Sequence, residues 1–482
     1  MTATVQNLVR SAPAPEQLRV LVAIASYGHG NDKYLHQLLA EYRAMPFSVD
    51  IVILSNIEKR PSPEIECLVG LPNKNPWSLP FSHKRLFADR LDRYDLFIYS
   101  EDDILVTEKN IRAFLDASYA LREDEIPGFL LVEKGTEGNV SYPQVHGFFH
   151  WDCESVRVRD EFTLAHFTNQ HAACYLITRK QLAKAIQSGG FVVAPHEGKY
   201  DLLCSAATDP YTQCGFTELV PVSHLEEFSL HHLPNKYIGR MGVDGNELDG
   251  QIETLKRIAA NEIQGDTLLN GETSLWRGMY SKLYYEAVHR EAIARIPASA
   301  RNILSVGCGW GATEMSLVEN GMRVVAVPLD PVICSRASTK GVEVVYGGLE
   351  GARAQLEGMQ FDCILYLNIL HLVRDPAEVL NFFKDFGKPG SPIIVQSPNM
   401  RSLPELWEKL RNGQLNRPLN FPASGVHFSS KNNIRRWCER AGYSIARTEG
   451  LLHRRVASLS GLASSTMGLP LAPEIISVAT RN

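Results

Sequence analysis

No two of the nine cysteines in this 482-residue chain form a C-x-x-C pair. Scattered cysteines are typical of reduced thiols in a cytosol and unlike the framework of a small disulfide-bonded protein. Long apolar runs are missing as well, which excludes a transmembrane segment, and residues 1–18 lack the apolar core of a secretory signal. We therefore predict a soluble cytoplasmic protein with a flexible N-terminal tail, and a loop in the Ser- and Gly-rich stretch from Ala457 to Ala472.

An excess of basic residues is also missing, since 49 Lys and Arg stand against 54 Asp and Glu and the formal net charge is −5. Without a basic stripe, we expect no nucleic-acid partner. What the chain does have is a globular composition, with 44% hydrophobic and 21% charged residues. Its length exceeds that of one ordinary hydrophobic core, so we expect two domains.

The first half begins with an almost continuous apolar run from Arg19 to Ala25, which is typical of a buried parallel strand. Apolar residues at helical spacing follow from Tyr34 to Tyr42, and Val49 to Leu54 have the pattern of a second strand. Strand, helix and strand in this order predict an α/β fold with a parallel sheet covered by helices.

Three adjacent acids interrupt another apolar stretch. Leu96 to Ser100 lead directly into Glu101, Asp102 and Asp103, and Ile104 to Val106 follow. Carboxylates this close repel one another and are costly to remove from water. A hard divalent cation would remove that conflict, so the pattern predicts a metal site that holds a phosphorylated substrate.

The acidic triplet resembles the short "DxD" motif of the GT-A class of glycosyltransferases. The resemblance implies a GT-A-like nucleotide-sugar-binding domain over residues 19–245, with a nucleotide-sugar donor. It also implies that Asp103 contacts Mn²⁺ or Mg²⁺ and that Glu101 or Asp102 lies near the ribose or the metal. A solvated bend is the alternative interpretation of three adjacent acids.

Two histidines and a lysine near the end of this half extend the resemblance. GT-A enzymes often take a further metal ligand from a late histidine, which implies His231 or His232, and a basic residue such as Lys236 would neutralise the leaving diphosphate. A hydrogen-bonded core histidine is the alternative for either imidazole. Ser26 and Tyr27, which follow the first strand, would line the nucleobase pocket.

A carboxylate on the acceptor side serves as general base in inverting enzymes of this class. Asp209 is our first choice for that role and Asp201 the second. The alternative for Asp209 is an N-cap, because Pro210 would suit the first position of a helix.

Between the two halves the apolar pattern weakens, and we predict a linker over residues 246–275 and a second domain over residues 276–482. The second half is predicted to start with a helix from Tyr280 to Ile296. Asn302 to Gly311 then combine a strand, a tight glycine turn and a helix start.

The glycine turn resembles the first motif of class I S-adenosylmethionine-dependent methyltransferases. Phe361–Pro376 resemble the fourth strand and loop of that family, Arg435–Tyr443 the late helix of its ubiquinone-methyltransferase-like branch, and Glu474–Thr480 its final antiparallel strand. The resemblance implies a Rossmann-like domain that binds S-adenosylmethionine beside Gly307, Gly309 and Gly311.

Two positions depart from the family pattern. Pro328 and Gly348 stand where the family usually has the acids that hold the ribose and the adenine. Asp330 and Glu350, each two residues further on, would have to replace them. For O-methylation, His371 is our choice of general base, with His427 as the other possibility.

These features together predict a bifunctional transferase that joins metal-dependent glycosyl transfer to methylation, with a hydroxyl-bearing glycan or small molecule as acceptor. Linking the two sites in one chain would raise the local concentration of one site's product near the other. Two alternatives stay open at this point. One is a glycosyltransferase with a degenerate, non-catalytic methyltransferase-like module, and the other is a non-enzymatic binding or scaffold protein.

Overall fold

The structure is a computed structural model, and it describes residues 18–136, 138–143, 148–239, 242–414, 419–452 and 469–482. The predicted N-terminal tail up to residue 17, and residues 457–468 of the predicted loop, lie outside these ranges. The chain divides into two compact units: the first comprises Met1–Gln144 and Arg157–Gly245, and the second comprises Val145–Val156 and Asn246–Asn482.

Within the described residues, the first unit is built mainly from strands, with five α-helices. Its strands are β1 (Arg19–Ala25), β2 (Ser48–Ser55), β3 (Glu66–Val69), β4 (Leu96–Glu101), β5 (Ile104–Leu105), β6 (Glu125–Pro127), β7 (Leu130–Lys134), β8 (Val140–Pro143), β9 (Trp151–Arg159, of which Trp151–Val156 belong to the second unit), β10 (Phe162–Phe167), β11 (Cys174–Thr178), β12 (Thr217–Pro221), β13 (Ser229–His232) and β14 (Gly242–Asp244). Its helices are α1 (Asp32–Ala44), α2 (Ser82–Asp89), α3 (Glu108–Ala120), α4 (Arg179–Gln187) and α5 (Leu202–Thr212).

The main sheet of the first unit has the order β11-β4-β1-β2-β3. β1 to β4 run parallel and β11 runs antiparallel to β4. β1 and β4 are buried on both faces, which explains why their sequences are almost continuously apolar. In register, Ala25 lies opposite Glu101, so both strands end at the same edge of the sheet.

Two smaller sheets complete this unit, with the orders β6-β12-β10-β9 and β14-β8-β7-β13-β5. The second of these matters for the acidic triplet, because β5 begins directly after Asp103. β13 pairs antiparallel with β5 and places His232 opposite Ile104. The predicted late histidines are therefore carried to the strand that follows the acids.

The second unit has a seven-stranded sheet and nine helices among the described residues. Its strands are β15 (Asn302–Cys308), β16 (Arg323–Pro328), β17 (Glu343–Val344), β18 (Cys363–Leu367), β19 (Pro392–Pro398), β20 (Tyr443–Leu451) and β21 (Glu474–Arg481). Its helices are α6 (Gly245–Ala259), α7 (Arg290–Ile293), α8 (Ala312–Glu319), α9 (Ser335–Ser338), α10 (Gly348–Leu356), α11 (Pro376–Phe383), α12 (Leu403–Arg411), α13 (Phe421–Ser424) and α14 (Lys431–Arg440).

The seven strands follow the order β17-β16-β15-β18-β19-β21-β20. The first five are parallel, while β21 runs antiparallel to both β19 and β20. This is the Rossmann-like, doubly wound α/β arrangement that the resemblance implied, including the final antiparallel strand. The carboxyl ends of β15, β16 and β18 therefore meet at one edge of the sheet.

The region between the predicted domains differs from expectation. Asn246 onward belongs to the second unit, where α6 occupies much of the segment that was predicted as a linker. Val145–Val156 also belong to this unit, although the sequence on either side of that segment belongs to the first.

The predicted helix from Tyr280 to Ile296 is wrong except for its last part, α7. Tyr280 has a φ of 65°, which a helix does not allow. The chain here is held by contacts with distant residues, since Lys282 N donates to Gly271 O at 2.9 Å and Trp310 N donates to Tyr284 O at 2.9 Å. These tertiary hydrogen bonds override the local helical pattern.

None of the helices in the described ranges has the length and hydropathy of a bilayer-crossing segment. The nine cysteines all fall within those ranges, and each is a free thiol. The expected absence of a disulfide framework agrees with this finding.

We expect the salt link at the base of the second sheet to make stability depend on pH. The Lys388 ammonium, together with the N–H groups of Arg301 and Asn302, lowers the pKa of Asp362 to about 2. A lowered folded-state pKa adds stability that is present above the unfolded value and is lost as the pH falls toward 2. Asp362→Ala should therefore reduce the free energy of unfolding by about 1–2 kcal/mol at pH 7, after allowing for partial exposure.

Urea unfolding, with hydrogen exchange of the β15 amides as the readout, measures this loss in the free energy of unfolding. The loss should shrink steadily below pH 4. Asp385→Ala is the matched control, because that carboxylate is 84% exposed and its loss should change little. A penalty for Asp362→Ala that is the same at pH 7 and pH 2.5 would contradict the assignment.

Candidate functional site

The acidic triplet lies at the carboxyl edge of the main sheet in the first unit. Glu101 is the last residue of β4, and Asp102 and Asp103 form the turn into β5. Asp102 and Asp103 are only 5% and 7% exposed. Asp102 and Asp103 are therefore buried and Glu101 is half-buried, unlike acids on a wetted bend.

Asp102 is held by side chains that follow β1. Ser26 Oγ donates to its Oδ2 at 2.5 Å, and Asn31 Nδ2 donates to its Oδ1 at 2.8 Å. Lys59 Nζ in turn donates to Ser26 Oγ at 2.7 Å and pairs with Asp32 at 2.7 Å. The sequence analysis named Ser26 but missed Asn31 and Lys59, although both stand shortly after strands that end at this edge.

Glu101 is the least satisfied member of the triplet. Its Oε1 is buried and has no hydrogen-bond partner among the described residues. Burial, followed by the charges of Asp103 and Asp102, raises the pKa of Glu101 to about 8. The Lys236 ammonium opposes this rise in pKa and the Asp201 carboxylate adds to it, so both groups lie within electrostatic reach of Glu101.

His232 faces the triplet from β13. Its Nε2 lies 3.6 Å from Asp103 Oδ2, and its Nδ1 lies 2.6 Å from Glu133 Oε1. Glu133 is fully buried on β7 and also accepts a hydrogen bond from Tyr237 N at 2.8 Å. Glu133, which the sequence analysis missed, thereby fixes the orientation of the imidazole that faces Asp103.

His231 lies on the other face of β13, because neighbouring residues of a strand point to opposite sides. Its Nε2 is 3.1 Å from Asn235 Oδ1, and burial lowers its pKa. Of the predicted metal ligands, the structure brings Asp103 and His232 together and leaves His231 apart from them. In the described part of the chain, no group of three or more His, Cys, Asp or Glu side chains is arranged to hold a metal ion.

A cavity of about 280 Å³ opens beside the acids, with Glu101 and Asp102 among its lining residues. Tyr27 and Trp77 also line it and are 52% and 50% exposed, so two aromatic faces are available to a ligand. Tyr27 was predicted to line a nucleobase pocket and lies where a planar group would pack.

The two predicted bases have different surroundings. Asp209 is fully buried in the middle of α5 and pairs with Lys84, while its Oδ1 lies 3.0 Å from His196 Nε2. It is therefore not the N-cap of a helix that starts at Pro210. Asp201 is half-buried and caps α5 by accepting a hydrogen bond from Cys204 N at 3.0 Å, and it is the one of the two that influences Glu101.

In the second unit, the glycine turn lies where β15 ends and α8 begins. Gly311 has a φ of 85° and directly precedes α8, a conformation that favours glycine. A Cβ atom at Gly309 would clash with the carbonyl oxygen of Tyr284, so the chain itself approaches this glycine closely. Gly307 is packed in the same way against the side chain of Ile369.

Asp330, the predicted ribose ligand, is fully buried. Its Oδ1 accepts hydrogen bonds from Val332 N at 2.7 Å and Ile333 N at 3.1 Å, and its Oδ2 accepts one from Trp151 N at 2.9 Å. Burial raises the pKa of Asp330 to about 7, against the opposing effect of these N–H groups. Both of its oxygens are thus occupied by the chain's own backbone.

The other predicted residues of this unit do not face a common cavity with Asp330. Glu350 is exposed in the first turn of α10. His371 is 1% exposed, its Nε2 lies 3.0 Å from Tyr280 O, and burial lowers its pKa to about 4. An imidazole in this position suits packing better than proton transfer, because a base works best with a pKa near the working pH.

Comparison with known proteins identifies this unit. The family model described as "Methyltransferase domain" matches residues 277–448. Those residues form a methyltransferase domain. The match supports methyl transfer from S-adenosylmethionine as the chemistry of the second unit.

Two curated relatives illustrate the likeness. The ubiquinone biosynthesis O-methyltransferase of Azotobacter vinelandii is 27% identical over 165 residues, which cover 32% of this chain and 69% of that protein. The enzyme of the same name from Xylella fastidiosa is 32% identical over 111 residues, or 22% of this chain and 45% of that protein. A solved methyltransferase from Archaeoglobus fulgidus is 16% identical, covering 40% of this chain and 90% of that one, but its TM-score of 0.30 is too low to support a conclusion.

The groups of the methyltransferase domain that would hold S-adenosylmethionine do not fit it in the arrangement described. The Cβ direction of Gly309 is occupied by the carbonyl oxygen of Tyr284, and both oxygens of Asp330 already accept backbone hydrogen bonds. Glu350 is turned to solvent. The cofactor would therefore need a rearrangement of the surrounding chain before it could bind here.

We expect Asp209 to stabilise the first unit rather than to act as a base. Lys84 and Asp209 are 2% and 0% exposed at their side chains, so Asp209→Ala leaves a buried ammonium without its main partner. The free energy of unfolding should fall by about 3–5 kcal/mol, measured by urea denaturation. Adding Lys84→Met to Asp209→Ala should recover much of the loss.

Asp201→Ala is the comparison variant, because it removes only a helix cap and should cost about 1 kcal/mol. If Asp209→Ala unfolds at the same urea concentration as the unmodified protein, the structural role is refuted.

Proposed function

We propose that the second unit transfers a methyl group from S-adenosylmethionine to an oxygen atom of a hydroxyl-bearing acceptor. The observation that carries this proposal is the match of residues 277–448 to a methyltransferase family. The choice of oxygen rests on the relatives, which are named O-methyltransferases. The strand order of the second sheet supports it as well, because three parallel strands end at the edge where ligands of open α/β sheets bind.

A cavity in the methyltransferase domain offers space for the acceptor. It measures about 560 Å³, within the usual range for small-molecule sites, and lies beside the loop that follows β18. Leu372, Val373 and Phe382 supply apolar walls, and Arg374 and Glu378 supply charge. Such a lining suits an acceptor with an apolar body and a polar edge.

Labelled S-adenosylmethionine and a panel of phenols and saccharides test this proposal. We expect the unmodified protein to label one acceptor class and to release S-adenosylhomocysteine. Gly309→Arg should reduce labelling by at least about 100-fold. Its side chain would clash with the carbonyl oxygen of Tyr284 and displace the backbone of the glycine turn.

Gly250→Arg is the matched control, because Gly250 lies in α6 with nothing within 4 Å of an added Cβ atom. Equal labelling by Gly309→Arg and the control would remove the glycine turn from the site. Methyl transfer by no form of the protein would favour a non-catalytic module.

For the first unit we propose glycosyl transfer from a nucleotide sugar. The observation that favours it is that Glu101 lines a cavity with two exposed aromatic rings and lies within electrostatic reach of Asp103 and Lys236, while His232 faces Asp103. An uncompensated buried carboxyl group such as Glu101 is typical of a site that awaits a ligand. Asp201 is the acid best placed to act on an acceptor there.

Asp103 and His232 are the residues that would hold a divalent cation. A cation bound by one or two protein groups takes its other ligands from phosphate oxygens and water, which suits a site of this size. When bound, the cation would neutralise charge on the diphosphate of the donor. Lys236, which is exposed beside the acids, would add a second positive charge to the same group.

Release of nucleoside diphosphate from a panel of nucleotide sugars, with and without Mn²⁺, tests this function. We expect turnover that EDTA abolishes and that Asp103→Asn lowers by about 100-fold, because one carboxylate oxygen of the cation site is lost. Asp124→Asn changes an exposed acid of the same unit and should leave turnover unchanged. Full turnover by Asp103→Asn would remove Asp103 from the site, and a scaffold protein would release no diphosphate at all.

A further inference from the structure

Three walls of the predicted donor cleft are each covered by another part of the same chain. The walls are Gly309, Asp330 and the carbonyl oxygen of Leu367, which lie at the ends of β15, β16 and β18. We infer that Trp151, Lys282 and Tyr284, called the plug below, occupy the place of the methyl donor, so that the methyltransferase domain is autoinhibited until the plug is displaced. This inference rests on the proposed methyl transfer and concerns the regulation of that site.

Tyr284 covers the glycine turn. Its carbonyl oxygen accepts a hydrogen bond from Trp310 N at 2.9 Å and leaves no room for a Cβ atom at Gly309. Its side chain is fully buried and stacks on His150, with ring centroids 4.6 Å apart. A backbone carbonyl therefore fills the approach that a ligand of the glycine turn would use.

Trp151 covers Asp330. Its N–H donates to Asp330 Oδ2 at 2.9 Å, and its indole Nε1–H donates to Gln251 Oε1 at 3.0 Å. The residue is 1% exposed, so the buried indole and its bond to Gln251 anchor the segment whose N–H meets the carboxylate. A ribose hydroxyl that approached Asp330 would have to replace the Trp151 N–H.

Lys282 covers the end of β18. Its ammonium donates to Leu367 O at 2.8 Å and pairs with Glu286 at 2.5 Å, and the residue is only 1% exposed. The paired charges of Lys282 and Glu286 compensate each other, and the bond to Leu367 O fixes the ammonium at the end of β18. The plug thus opposes the donor here by occupying the carbonyl oxygen and the space beside it.

Two of the three plug residues, Lys282 and Tyr284, lie on chain outside any helix or strand, whereas Trp151 is the first residue of β9. Residues 279–289 form no helix or strand, and Arg277 and Tyr280 have φ values of 50° and 65°. Non-glycine residues in this region of φ carry backbone strain. Segments of this kind open at lower free energy than the strands around them, which makes displacement of the plug feasible.

Binding of S-adenosylhomocysteine, measured by calorimetry, tests the inference. A site that is competent in only a fraction of molecules binds its ligand more weakly by that fraction. Trp151→Ala should therefore bind at least about tenfold more tightly than the unmodified protein, because it removes the buried indole and the bond to Gln251 that hold the Trp151 N–H on Asp330. Lys282→Met should change affinity in the same direction, because it removes the ammonium that is hydrogen-bonded to Leu367 O at the end of β18.

Trp407→Ala is the matched control, since Trp407 lies on α12 with 67% exposure and its loss should leave affinity unchanged. Hydrogen exchange of the unmodified protein adds a readout that needs no substitution. On saturation with S-adenosylhomocysteine, the amides of Trp151 and Trp310 should exchange at least about tenfold faster, because the bonds that protect them break.

The possible outcomes distinguish a failure of the plug inference from a failure of the proposed methyl transfer. Equal affinity of Trp151→Ala and the unmodified protein, with unchanged exchange at Trp151, would overturn the plug and leave methyl transfer standing. Folded variants that all fail to bind at millimolar ligand would overturn both, since opening the cleft would then reveal no donor site. Tighter binding by the variants with faster exchange supports the inference.

Discussion

Buried carboxylates at the carboxyl ends of parallel strands are the constraint on which both units depend. Such a group must be paired, hydrogen-bonded or protonated, because an isolated charge is costly to remove from water. Asp102 is satisfied by Ser26 and Asn31, whereas Glu101 is left without a partner on Oε1. In the second unit, Asp330 is satisfied by three backbone N–H groups. At the carboxyl edge of the main sheet in the first unit, one carboxyl oxygen is therefore left without a partner. At the corresponding edge in the second unit, both oxygens of Asp330 are bonded to the backbone.

This contrast bears on how the two proposed activities would work. In the first unit, Glu101, with an unpartnered carboxyl oxygen, and two exposed aromatic rings line a cavity, while an imidazole faces the neighbouring Asp103. The proposed glycosyl transfer would need little rearrangement of the chain there. In the methyltransferase domain, the groups expected to meet the cofactor meet Trp151, Lys282 and Tyr284 instead. Methylation would then depend on a conformational step that displaces the plug. Such a step can be regulated, which would be a reason for the chain to retain the plug.

Much of the fold could be read from the sequence because apolar runs and turn residues are local signals. The strands that start at Arg19 and Asn302 and the glycine turn lie close to where the pattern placed them. The predicted helix after Tyr280 failed because tertiary hydrogen bonds to Gly271 and Trp310 decide that segment. The role of Asp209 was misjudged for a similar reason, since Lys84 lies far from it in sequence and adjacent to it in space.

The sequence by itself determined the two α/β units, the buried position of the acidic triplet and the methyltransferase pattern of the second half. These follow from periodicity and from residue types at short spacing. Only the tertiary structure decided that His232 rather than His231 faces Asp103, and that Trp151 lies against Asp330. Strand register and long-range contacts are set by packing of the whole chain, so no local pattern of residues contains them.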